Sequence, residues 1–92
     1  MNKPLFNLGQ VVATPPCLAA LKKAGQAPDL FLNRHVKGDW GNVDEHDAQV
    51  NEEALWGDSR IMSVFETSRG DVIWIITEAD RSSTCLLLPS CY

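Results

Sequence analysis

The runs RIMSVFET (60–67) and DVIWIITE (71–78), joined through Ser68-Arg69-Gly70-Asp71, decide the fold. β-Branched and aromatic residues crowd both runs, and the join has turn chemistry, so the pair is predicted to be a β-hairpin. A second turn near Ala79-Asp80-Arg81-Ser82 leads into SSTCLLLP (82–89), a third strand. The middle strand, Val72-Ile73-Trp74-Ile75-Ile76, is apolar on both faces. A sheet with one wet face alternates, so both faces of this strand are predicted to be covered. Helices can cover one face. The N-terminal segment, a loop or a second subunit must cover the other.

Upstream the period changes to that of helices. Thr14 can cap free N–H groups and Pro15 presets φ at a first helical position. Cys17, Leu18, Leu21 and Ala24 then form a stripe, and Gly25 stops it. Pro28-Asp29 opens a second helix through Leu30, Phe31, Leu32 and His35, ending near Gly38. KGDWGNVD (37–44) is a loop with two glycines around Trp40. A third helix is predicted from about Asp44 to Leu55, its acids concentrated in the first turn where they complement the macrodipole. Val50, Ala54 and Leu55 give it a narrow apolar face. LGQVVA (8–13) is a short strand or an extended lead-in. The predicted fold class is α+β: two or three short N-terminal helices on a three-stranded antiparallel C-terminal sheet, four-stranded if 8–13 joins it.

The 92 residues make one domain, 1–92, with 45% apolar and 22% charged residues. A chain this short buries only roughly 60–65% of its unfolded surface, so its margin of stability is thin. No apolar run approaches the ~20 residues of a membrane span. MNKPLFNLGQVV (1–12) lacks the apolar core of a secretion signal. The expected compartment is the cytoplasm. Cys17, Cys85 and Cys91 are odd in number and lack metal-ligand spacing. Cys17 and Cys85 are expected in the core, and Cys91 as a free, partly exposed thiol.

The net charge of −4 is unevenly spread. Residues 1–38 carry five cations against Asp29, net +4, whereas 39–58 carry seven acids and no Lys or Arg. An acidic total argues against general nucleic-acid binding. The segment 39–58 instead suits a partner with a basic patch. Its candidate partner-binding residues are Trp40, Asp39, Asp44, Glu45, Asp47, Glu52 and Glu53. Trp is enriched among binding hot spots, but the favoured reading of a Gly-flanked Trp40 is a lid that plugs the end of the core.

Several motifs have structural explanations. Arg69-Gly70-Asp71 resembles an adhesion tripeptide but occupies a hairpin turn, where Gly and Asp are expected. Thr14-Pro15-Pro16-Cys17 lacks the amide and aromatic that an amino-methyltransferase motif needs, and a helix start accounts for it. His35, Asp39, Asp44, Glu45, His46 and Asp47 have no familiar ligand spacing, so no metal site and no cofactor are expected. The polar stretch 77–84 has a sharper alternative. His35 as acid or base, Arg34 or Arg81 for phosphate charge and Thr84 as phosphate ligand would suffice for metal-free RNA cleavage. That catalytic set, His35, Arg81 and Thr84, requires the second helix to end beside the second hairpin turn.

LGQVVATP (8–15), RHVKGDWG (34–41) and WIITEADRSSTCLLLP (74–89) resemble small proteins of phages, plasmids and integrated elements in proteobacteria. Such proteins are often labelled plasmid-related or as a type I restriction endonuclease subunit. The resemblance spans about Leu8 to Pro89 and implies an accessory protein without an assigned chemistry. A methyltransferase is excluded, because its doubly wound cofactor domain needs more chain and a Gly-rich loop. Helices followed by antiparallel strands also resemble barnase-like and RelE-like nucleases in topology, which implies an endoribonuclease as the alternative. The leading expectation is a non-enzymatic interaction module using the acidic surface 39–58. RNA is a partner only under the alternative, and a homodimer through the sheet is a third possibility.

Overall fold

The computed structural model describes residues 3–57 and 59–92. Asp58, one of the acids in 39–58, lies outside the described residues. The chain runs β1 (Gln10–Ala13), α1 (Pro15–Ala24), α2 (Pro28–Val36), α3 (Glu45–Ala54), β2 (Ile61–Glu66), β3 (Val72–Thr77) and β4 (Ser83–Leu87). A 3-10 turn, Pro89–Cys91, closes it.

The sheet has four strands in the order β1-β4-β3-β2. β2, β3 and β4 are antiparallel neighbours, as the two hairpin turns require. One correction follows: the sheet is mixed, because β1 joins as a parallel edge strand on β4, Val11 opposite Thr84 and Ala13 opposite Leu86. Its strand also precedes the helices.

Alternate residues share a face. Phe65, Ile73, Ile75 and Leu86 point to the helices and pack with Cys17, Leu21, Phe31 and Leu32. α1 starts as Thr14 accepts from the Cys17 N–H and stops at Gly25, whose φ of 68° is left-handed. Leu18 and Leu30, placed on the apolar stripes by spacing, are instead exposed. The opposite sheet face is only half covered. Tyr92 packs edge-on against Trp74, with ring centroids 5.5 Å apart, so the chain's own C-terminal turn shelters that end.

The outer edge of β2 is closed by two devices. Asn51 of α3 behaves like a strand residue, its amide donating to the Met62 carbonyl at 2.7 Å and accepting from the Met62 N–H at 3.1 Å. Beyond it, the Val64 N–H donates to the Trp40 carbonyl and the Asn42 N–H to the Val64 carbonyl. Gly41 sits between with φ 73°, and a Cβ there would strike the Val64 carbonyl. Only glycine fits. α3 therefore buries Asn51 and Ala54, while Val50, expected on its apolar face, is exposed.

Candidate functional site

His35 enters the core from the last turn of α2 and is fully buried. Ser63, Thr77 and Thr84 come from three adjacent strands and are equally buried. They form one hydrogen-bonded chain whose direction is fixed. The Thr84 hydroxyl donates its only proton to the Leu8 carbonyl at 2.7 Å. It must then accept from Thr77, 2.7 Å away. Thr77, its proton used, accepts from His35 Nε2–H at 2.9 Å. A neutral ring leaves Nδ1 as an acceptor, filled by the Ser63 hydroxyl. Burial pushes the His35 pKa down to about 4, so the ring is the neutral Nε2–H tautomer near pH 7. Phe6 and Trp40 stand edge-on against it, with centroids 5.2 and 5.9 Å away.

The proposed catalytic trio is thus only partly assembled. His35 and Thr84 share a network through Thr77, but both are wholly buried. RNA in solvent has no path to the imidazole. Arg81 stands apart from them, the one non-glycine residue with positive φ (61°) among those described. Its guanidinium donates to the carbonyls of Ser59, Glu78, Ala79 and Ala54, tying the last hairpin turn to the end of α3. Arg34 is also engaged: it forms an ion pair with Asp39 at 2.7 Å and lies over the Phe65 ring, 4.6 Å from its centroid. That hydrogen bond holds the Asp39 carboxyl below its usual range.

Trp40 needs correction as an interface anchor. It is buried, belongs to a core cluster with Ala54 and Ile61, stacks on Phe6 and donates its indole N–H to Glu52 at 3.2 Å. It is the lid. The exposed indole is Trp56, 91% accessible, two residues past the end of α3. Its signal was weak, since Trp56 and Trp40 both precede a glycine. The acids of α3 behave as a surface. Asp44 caps the helix by accepting from the Asp47 N–H at 2.8 Å, and Glu45, Asp47, Glu52 and Glu53 are exposed beside it.

The remaining reactive groups offer no second centre. Burial pushes the Cys17 thiol up to about 11, and Cys85 is raised for the same reason. Among the described residues no three His, Cys, Asp or Glu side chains group closely enough to hold a metal ion. Among them too, no helix is long and apolar enough to cross a membrane. Arg69-Gly70-Asp71 is held inside its turn, with the Arg69 and Asp71 N–H groups donating to the Thr67 hydroxyl.

No protein-family model, curated protein or solved structure matches this chain.

Proposed function

We propose that the chain is a non-enzymatic interaction module, an accessory protein of a mobile element, that takes a basic segment of another protein on the acidic face of α3. The observation that carries this reading is Trp56, a large apolar ring left 91% exposed next to Glu52 and Glu53. Exposing an indole forgoes hydrophobic stabilisation, and Trp is the residue type most enriched at binding hot spots. A Lys or Arg of the partner can lie on its face while the neighbouring carboxylates attract the segment. The mobile-element setting rests on the resemblance of 8–15, 34–41 and 74–89 alone.

Calorimetric titration with an arginine-rich peptide tests the reading. Binding is expected at low salt and should weaken severalfold by 0.5 M, where screening shortens to a few Å. Trp56→Ala should cost about 2 kcal/mol of affinity, with the unfolding midpoint unchanged because the side chain touches little. Absence of binding at low salt, or equal affinity for Trp56→Ala, would remove the proposal.

The metal-independent endoribonuclease is the competing reading: His35 and Thr84 share one network, but both would have to open to solvent to meet RNA. RNA cleavage in chelator that disappears in His35→Phe would support it over binding.

A further inference from the structure

A groove of about 700 Å³ opens between the N-terminal segment and α2. Phe6, Leu8, Val11 and Val36 supply apolar lining, Asn33 stands at its side and Arg81 brings the one charge. Among the described residues no acidic one lines it. Its size and its mix of apolar wall with few polar groups are those of small-molecule sites, which run from about 300 to 1,000 Å³.

The charge is held in place before any ligand arrives. Arg81 Nη1 is shared among three carbonyls, and Nη2 gives one hydrogen to Ala54 at 2.6 Å. A guanidinium has five N–H donors. Nε–H and the second Nη2 hydrogen have no acceptor among the described residues. Among the described residues its partners are carbonyls, none of them an anion. Phe6 lies 5.9 Å from the guanidinium carbon and restricts it further. A rigid cation with two spare donors at an apolar groove matches one chemistry: an apolar body ending in a carboxylate, whose oxygens accept the two hydrogens.

We propose that this groove binds a small apolar monocarboxylate, with its chain along Leu8, Val11 and Val36 and its carboxylate on Arg81. The site is independent of the Trp56 surface. Its rigidity limits the ordering cost of binding, because the guanidinium is already fixed by the fold.

Titration of the ¹⁵N-labelled protein with sodium octanoate, followed by NMR, tests this. The Arg81 Nε–H, the Asn33 side-chain amide and the amides of Gly9 and Val36 should shift together and saturate. 1-Octanol, with the same chain but no charge, should bind about tenfold more weakly. Arg81 also ties the last turn to α3, so Arg81→Ala would confound folding with binding. Val11→Glu serves instead: Val11 is 43% exposed, and a carboxylate there removes apolar wall for both ligands but repels only the anion, so octanoate should lose about tenfold more affinity than octanol. Absence of shifts at these groups, equal binding of octanol, or octanoate affinity unchanged in Val11→Glu would each overturn the assignment.

Discussion

At the scale of single residues, the decisive fact is that His35 is structural. Its two nitrogens, three hydroxyls and one carbonyl satisfy one another without water. The ring therefore couples stability to pH in a definite direction. The unfolded ring takes its proton near 6.5, the folded one only near 4. Below pH 6.5 the unfolded state binds more protons, so stability falls with falling pH until about pH 4, then levels. The full loss is about 3 kcal/mol. Urea unfolding at stepped pH should show this slope in the native chain and a flattened one in His35→Phe. An unchanged slope in the variant would assign the acid sensitivity elsewhere. Asp39 acts in a lower window, because Arg34 depresses its pKa. Its contribution is present above the ordinary carboxylate range and is lost only in stronger acid. His35 bonds directly to Ser63 and Thr77, 28 and 42 positions away, with Thr84 one hydroxyl further on. The sequence joined His35 to the stretch 77–84 but as an open site, and Ser63 went unread, because spacing rules speak only of neighbours along one element.

At the scale of elements, the hairpins from residue 60 onward could be read because each rests on local chemistry: β-branched runs and turns with residues suited to them. Gly70 does adopt φ 88° and Arg81 φ 61° in those turns. β1 could not be assigned in the same way. Its four residues pair with a strand some 70 positions later, and such short runs fit a strand or a lead-in equally well. α3 misled for a related reason. Its inward stripe includes Asn51, a polar residue that spacing assigns to solvent, and this displaced the apolar face onto Val50. Asn51 supplies the two hydrogen bonds that β2 would otherwise find in another strand. Asn51→Ala should cost about 2–3 kcal/mol, from two lost bonds and the Met62 groups left in a poorly hydrated edge. Asn51→Asp should retain only the bond from the Met62 N–H, since a carboxylate cannot donate to the carbonyl. Hydrogen exchange at Met62 is expected to accelerate in the alanine variant well beyond the aspartate one. Equal protection in both would mean that the edge is closed by something other than this amide.

At the scale of the whole molecule, the buried polar groups are turned inward to hold strands and helices together, and the uncommitted chemistry lies outside. The lid formed by Phe6 and Trp40 closes over His35, while Trp56 and the acids of α3 face solvent. The broad charge split, basic to residue 38 and acidic from 39, was plain in the sequence, and it places the acidic surface correctly on α3. The sequence pointed to Trp40 as a lid, which the Trp40 carbonyl pairing with Val64 across the sheet edge holds in place, but it gave no role to Trp56. A closed core has one direct test, a ¹⁵N NMR titration of the His35 ring in the intact protein. The ring should stay a neutral Nε2–H tautomer from pH 8 down to about 4, in slow exchange with solvent. A ring that instead titrates near 6.5 and exchanges freely would place His35 in contact with water and return it to the list of catalytic groups.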